Sequence, residues 1–311
     1  MEYVNCNSCG SADTKILYEL WDYLLQRMEV QGTLVRCRQC GLIYQNPRPE
    51  LNEISFDYPP EYAPYNCQLD KTNTSKLDDW LVQYGLNKRI HLIKKYKENG
   101  SLLDIGCGSG EFLNAMQIIP GWNLTGVELN SYAADKAIDR YNLRIFNGTL
   151  EQAFFPNETF DVVTLWDVLE HLHDPTASLI EIRRILKPGG LLVLRVPNYQ
   201  SWQRRLFGRH WAGLDAPRHL YVFDAITLSR LLENSGFIID KIQCLMGSYP
   251  TFLLSLQFWM VENQMKQINQ SRIIKLFSHP VSRIAFAPFF YFDNLGLRGP
   301  LLTVASTKGG E

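Results

Sequence analysis

Hydrophobic periodicity divides the chain into a polar-leading N-terminal stretch, an alternating strand and helix core, and an aromatic C-terminal stretch. Leu81, Leu86, Ile90 and Ile93 fall on one stripe and predict a helix over 77–96. Residues 101–105 form a short apolar run carrying Asp104 near its end, the pattern of a buried parallel strand. Phe112, Leu113, Met116 and Ile119 then give 111–119 helical spacing. Further strands are predicted at 123–129, with Glu128 at its tip, and at 162–165. A helix begins near 228 and stops at Gly236, where the next strand starts, and 301–307 reads as the last strand. Residues 16–30, rich in Leu, Tyr and Trp, read as a hairpin or a short helix.

The junction between the first core strand and its helix carries the chemistry. Gly106, Gly108 and Gly110 lie in L-L-D-I-G-C-G-S-G at 102–110. Glycines there let a backbone approach a ligand closely, and the following helix offers unpaired N–H groups. A dinucleotide fold asks for G-x-G-x-x-G. Glu111 stands where the last of those glycines would be, so the spacing favours S-adenosylmethionine (SAM). Glu128, at the tip of the second strand of a doubly wound sheet, is placed to accept both hydroxyls of a ribose.

Residues 102–198 resemble a class I SAM-dependent methyltransferase throughout. The resemblance rests on the glycine segment, G-V-E-L-N at 126–130, F-D-V-V-T-L-W-D-V-L-E-H-L-H-D-P at 160–175 and L-K-P-G-G-L-L-V-L-R-V-P-N at 186–198. It implies that the glycines cradle the methionine and sugar, that Glu128 and Leu129 hold the ribose, and that Thr149 and Leu150 pack on the adenine. Many family members have Asp at the Thr149 position. The expected cofactor set is Asp104, Gly106, Cys107, Gly108, Gly110, Glu128, Leu129, Thr149, Leu150 and Trp166, with the Cys107 side chain read as packing. Trp166 opens the lip 166–171 beyond a strand end, where open α/β sheets bind ligands.

Two histidines are candidate catalytic residues. His171 resembles the histidine of the family's E-H element. His219 follows Pro217 and Arg218 in W-A-G-L-D-A-P-R-H-L-Y-V-F, which resembles one branch of these enzymes acting in cell-surface sugar and small-metabolite pathways. An imidazole suits proton transfer because its pKa lies near physiological pH. Arg218 is read as fixing its loop through backbone carbonyls, and the same anchoring role is the competing reading of His219.

Seven cysteines include two C-x-x-C-G knuckles, Cys6 with Cys9 and Cys37 with Cys40. Such spacing lets paired thiolates share one ion, with a glycine allowing the tight turn. A structural zinc is expected, with disulfides as the alternative. Residues 46–66 interleave Pro47, Pro49, Pro59, Pro60 and Pro64 with Tyr58, Tyr62 and Tyr65, which predicts a linker. The resemblance to zinc-ribbon methyltransferases adds a second reading, a lid over the cofactor.

With 46% hydrophobic and 20% charged residues in 311, the chain can bury a sizeable core. Its net charge of −1 supplies no basic field, so nucleic acid is not an expected partner. No secretory signal is visible, and the expected compartment is cytoplasmic. Runs 252–259 and 284–292 are shorter than the roughly 20 apolar residues that span a bilayer. Helices packed on the sheet or a homodimer surface are preferred over contact with a membrane surface, which Lys266, Arg272, Lys275 and Arg283 would favour.

The expected architecture is α/β: a doubly wound seven-stranded Rossmann-like methyltransferase sheet, a small N-terminal zinc ribbon (1–50), a linker or lid (51–76), and a methyltransferase domain (77–311) with a helical C-terminal insertion (248–297). The expected activity is methyl transfer from SAM to a hydroxyl, amine or carbon of a small metabolite or activated sugar. The competing reading is a non-catalytic binding module of the same fold that uses its zinc ribbon for protein contacts.

Overall fold

The computed structural model describes residues 1–51, 53, 76–245 and 247–310. Residues 54–75, with the proposed tyrosine lid, lie outside the described residues. The N-terminal strands are β1 (Thr14–Asp22), β2 (Arg27–Cys37) and β3 (Ile43–Gln45). The core continues through α1 (Lys76–Lys94), β4 (Gly100–Ile105), α2 (Glu111–Gln117), β5 (Trp122–Glu128), α3 (Ser131–Tyr141), β6 (Ile145–Asn147) and β7 (Phe160–Trp166). It proceeds through α4 (Pro175–Ile185), β8 (Leu186–Pro197), α5 (Trp202–Phe207), β9 (Tyr221–Val222), α6 (Ala225–Asn234) and β10 (Phe237–Gln243). The insertion forms α7 (Ser248–Glu262), α8 (Gln267–Ser278) and α9 (Pro280–Asp293) before β11 (Leu301–Lys308).

Seven strands form one sheet in the order β6-β5-β4-β7-β8-β11-β10, and only β11 is reversed against its neighbours. The central strands are apolar without alternation because helices cover both faces; Leu102, Val162, Val163, Leu192 and Leu194 are fully buried. Several helix starts are fixed by a side chain that accepts an orphan N–H. Asn130 accepts from Ala133, Asp174 from Ala177, and Asp224 forms a capping box with Thr227. The chain runs outward from β4 to β6 and then back through β7 and β8. The order therefore reverses between β4 and β7, the place where open α/β sheets bind ligands.

Residues 16–30 resolve as the β1–β2 hairpin rather than a helix. The ribbon is not a separate unit, because its sheet runs β1-β2-β3-β9 and takes its fourth strand from the main domain. The Gln45 N–H donates to the Leu220 carbonyl, Arg48 Nη1 to the His173 carbonyl and the Tyr221 hydroxyl, and Thr176 Oγ1 to Asn7 Oδ1.

The insertion packs on the ribbon and on the segment after β8, where Trp202 meets Phe289 at 4.7 Å and the Ala212 N–H donates to Ser255 Oγ. Phe258 and Met260 of α7 are buried, with Phe258 stacked on Tyr23 of the ribbon at 5.5 Å. No residue of α8 is buried, and much of the apolar surface of α9 faces outward. No described helix is long and apolar enough to cross a membrane.

Candidate active site

After β4 the chain turns through three glycines with positive φ, +65° at Gly106, +55° at Gly108 and +83° at Gly110. Only glycine adopts these angles without strain, but the space around each differs. A Cβ on Gly106 would meet Val168 Cγ2 at 2.6 Å, and one on Gly110 would meet Leu143 Cδ1 at 2.5 Å. A Cβ on Gly108 would meet nothing within 4 Å. Gly106 thus lets the turn touch the lip after β7, Gly110 admits neighbouring core side chains, and Gly108 faces open space.

Asp104 is buried and accepts from Thr164 Oγ1 at 2.6 Å; burial pushes its carboxyl up to about 7. Glu128 ties the two strand tips together. Its Oε2 accepts the Gly108 N–H at 2.8 Å and its Oε1 the Asn130 N–H at 2.9 Å. Burial raises its pKa against those hydrogen bonds, and each oxygen retains capacity for one more donor. Leu129 beside it is exposed. Thr149 Oγ1 accepts from the Gln152 N–H at 3.3 Å, capping the short turn Glu151–Ala153. Leu150 and Cys107 turn their side chains into the core, the thiol lying against Gly126, so only their backbones are available to a ligand.

Beyond β7, Trp166 meets Phe112 edge to face at 5.4 Å, and the Arg89 guanidinium lies 4.8 Å from its ring centre. Trp166 Nε1 and Arg89 Nε are buried without hydrogen-bond partners among the described residues. Burial and the nearby Arg195 charge lower Arg89 to about 9, while Asp167 and Asp104 act in the opposite direction. Asp167 has φ +59°, a left-handed backbone uncommon outside glycine and costing on the order of 1–3 kcal/mol. Its N–H donates to the Arg195 carbonyl and its carboxylate pairs with the same arginine. Burial works to raise the Asp167 carboxyl, but the Arg195 charge and hydrogen bonds outweigh it and hold it low.

Glu170 follows at 0% exposure, with neither carboxylate oxygen hydrogen-bonded among the described residues. Burial and the Asp167 charge raise it well above the carboxylate range. The structure brings both candidate histidines to this carboxylate. The rings of His171 and His219 meet edge to face at 4.7 Å, and one ligand atom from each, with one from Glu170, lies within 4.8 Å of the others. His171 Nδ1 contacts the Arg218 carbonyl and His219 Nδ1 the Gly213 carbonyl, both at 3.0 Å. Burial lowers both imidazoles, His171 to about 3.

Arg218 fixes the loop, chiefly through carboxylates rather than the expected carbonyls. Fully buried, it pairs with Asp215 at 2.7 Å and with fully buried Asp22 of β1 at 2.7 Å. Asp22 also accepts from Arg27 and the Leu25 N–H.

At the far end of the ribbon, Cys6, Cys9, Cys37 and Cys40 place their sulfurs within 4.8 Å of one another. Cys6 lies 3.4 Å from Cys40 and Cys9 3.5 Å from Cys37, near the roughly 3.8 Å edge of a tetrathiolate zinc site with Zn–S bonds of about 2.3 Å. The donor set suits zinc.

Sequence reasoning missed Arg89, Asp167, Glu170, Arg195 and Asp22. The D-x-x-E-H spacing at 167–171 carried a usable signal, since acids beside an apolar strand end point inward or to a partner; Asp22 carried none.

Residues 81–242, just over half of the chain, match the methyltransferase domain family. An uncharacterized methyltransferase of Schizosaccharomyces pombe is 33% identical over 32% of this chain and 41% of its own length. A ubiquinone biosynthesis O-methyltransferase of Actinobacillus pleuropneumoniae serotype 7 is 30% identical over 42% of this chain and 66% of its own length. Its counterpart from serotype 5b is 30% identical over 62% of this chain and 93% of its own length. The chain thus spans less than two thirds of the first two relatives. With the strand order, the glycine turn and this match in agreement, the chain belongs to the methyltransferase domain family.

Proposed function

We propose that the protein transfers a methyl group from SAM to a hydroxyl oxygen of a small molecule. The contact between Gly106 and Val168 carries this reading, because it joins the cofactor turn to the lip that bears Glu170 and His171. When bound, SAM supplies a sulfonium methyl, which passes to the acceptor oxygen as the S–C bond breaks and a thioether remains. Gly108 admits the donor, and Glu128 has spare acceptor capacity for ribose hydroxyls. Thr149 and the backbone at Leu150 border the adenine, Trp166 walls the site, and Arg89 offers a positive charge to a carboxylate. His171 and His219 handle the acceptor oxygen, whose proton must leave. The names of the ubiquinone-pathway relatives favour oxygen over nitrogen or carbon.

In the same reading, Cys6, Cys9, Cys37 and Cys40 hold one structural zinc. Four thiolates fill a tetrahedral shell, so this ion takes no part in transfer and instead holds the ribbon on which β9 pairs.

Calorimetry with SAM, combined with a panel of phenols and nucleotide sugars read by S-adenosylhomocysteine release, tests the proposal. Glu128→Ala should weaken SAM binding by about 1–3 kcal/mol. His219→Ala should lower turnover about a hundredfold with SAM affinity retained. Elemental analysis after dialysis against chelator should find one zinc per chain, lost in Cys37→Ser. Absence of SAM binding, or of turnover with every acceptor, would overturn the reading.

A further inference from the structure

We infer that the outward faces of α8 and α9 rest on an anionic membrane surface. The inference stands on these two helices and does not depend on the proposed function.

α9 is apolar on two sides. Its inner side is covered within the chain: Phe290 meets Tyr249 at 5.3 Å and Phe252 at 5.5 Å, Phe289 meets Trp202 at 4.7 Å, and Phe286 stacks on Phe277 of α8 at 5.5 Å. The other side faces outward. Val281, Ile284, Pro288, Tyr291 and Phe292 recur at the spacing of one helical stripe, and all five are exposed, Ile284 by 74% and Tyr291 by 68%. A helix that is apolar all round is ordinarily buried, so this stripe calls for a further apolar partner.

α8 carries the charge. Ile268, Arg272, Lys275 and Leu276 share one stripe and are exposed, while Ile273, Ile274 and Phe277 on its other side are partly buried. Cations interleaved with apolar side chains suit a headgroup layer, because the hydrocarbon stems lie against acyl chains while the charged ends reach lipid phosphates. Between Glu262 and Asp293 the chain has Lys266, Arg272, Lys275 and Arg283 and no acid. Glu262 itself is engaged by Tyr23, Arg209 and His210, and the Arg283 guanidinium lies 5.3 Å from the Tyr249 ring centre. Lys266, Arg272 and Lys275 are the cations that the insertion presents to its surroundings, since all three are exposed.

This charge decides between occupants. A second copy seated on the α9 stripe would bring the same cations to the contact with no acid of the segment to meet them, and like charges across an interface oppose association. Anionic headgroups supply the missing counter-charge. Length sets the depth. The 14 residues of α9 extend about 21 Å, short of a hydrocarbon core of about 30 Å, and no described helix is long and apolar enough to cross a membrane. The two helices therefore lie in the interface, with the α9 stripe toward the acyl chains and the α8 cations among the phosphates.

The test is flotation of the full chain with vesicles of phosphatidylcholine and phosphatidylglycerol in equal parts, beside vesicles of phosphatidylcholine alone. The chain should float with the anionic vesicles and release as salt is raised. Replacing Arg272 and Lys275 together by Gln should weaken binding about 30-fold, at about fivefold per cation. Ile284→Glu should abolish it. Both changes fall on exposed side chains, so an unchanged melting temperature should accompany them and report a folded chain. Failure to float with anionic vesicles, or equal flotation by the folded variants, would overturn the inference. Equal binding to phosphatidylcholine alone would overturn the assignment to an anionic surface. A dimer in sedimentation velocity that Ile284→Glu disperses, with no vesicle binding, would overturn it in favour of a second copy.

Discussion

The ribbon seam and the helical insertion bury opposite kinds of residue. At the seam, Asp22 and Arg218 are both 0% exposed, whereas Ile284 and Phe292 of the insertion are 74% and 65% exposed. Polarity alone would reverse these assignments. The seam tolerates charge because each charged atom has a partner: Arg218 faces two carboxylates, and Asp22 accepts from two arginines and a backbone N–H. Once paired in this way the charges are costly to separate, which ties a hairpin near the N-terminus to the loop carrying His219. The insertion is anchored through α7, where Phe258 stacks on Tyr23 and Glu262 receives Tyr23, Arg209 and His210, and through Phe289 of α9, which meets Trp202 at 4.7 Å. Beyond α7 its aromatic rings pack mainly on one another, as in Phe277 on Phe286.

The contrast can be broken most forcefully at Arg218. Arg218→Ala removes the charge that Asp215 and Asp22 share, leaving Asp22 only Arg27 and the Leu25 N–H, and should lower stability by about 3–5 kcal/mol, read as a fall in midpoint in urea unfolding. A loss no larger than that of a surface mutation would show that the seam holds nothing. Phe258→Ala, which empties the root of the insertion, should cost about 3 kcal/mol. If this contact carries most of the anchoring, proteolysis within α8 and α9 should accelerate in the same variant.

Glu262 gives a smaller effect with a pH signature. Burial pushes its carboxyl up, but hydrogen bonds from Tyr23 and His210 and the Arg209 charge hold it below its ordinary 4.5. A depressed carboxylate contributes stability above the unfolded value, and that contribution is lost as pH falls from about 4.5 through the lower folded value. Glu262→Gln should therefore cost about 1.5 kcal/mol at neutral pH and flatten the acid limb of melting temperature against pH. An unchanged acid limb would assign that sensitivity to other groups. At the small end, Ile284→Ser should leave stability within about 0.5 kcal/mol, because the side chain gains little from folding. A larger loss in a concentration-dependent melt would instead show that a second chain covers this face.

The glycine turn, Glu128 and the cysteine knuckles were legible because each lies within a few residues of its partners or in a fixed motif. His171 and His219 were visible individually as histidines in suggestive segments. Their edge-to-face contact over Glu170 was not, since it requires the lip after β7 and the loop before β9 to converge. The reading of 248–297 as helical was sound, while its packing partners stayed open between the interior, a second copy and a membrane surface. Helical spacing shows which residues share a stripe and is silent about what meets that stripe. That the ribbon sheet takes β9 as its fourth strand was not legible, because β9 contributes only two residues, too few to register as a strand in the pattern.

Local physics therefore let the sequence determine the element order, the strand-to-helix turn with its left-handed glycines, the acid at the second strand tip and the paired thiolates. Those features depend on backbone angles, short-range periodicity and ligand chemistry, all encoded by near neighbours. Only the tertiary structure decided that Asp22 meets Arg218, that Glu170 is buried between two imidazoles, and that the ribbon sheet is completed by the main domain. Each of these joins residues far apart in the chain, and the energy that selects them arises only once water has been excluded from both sides.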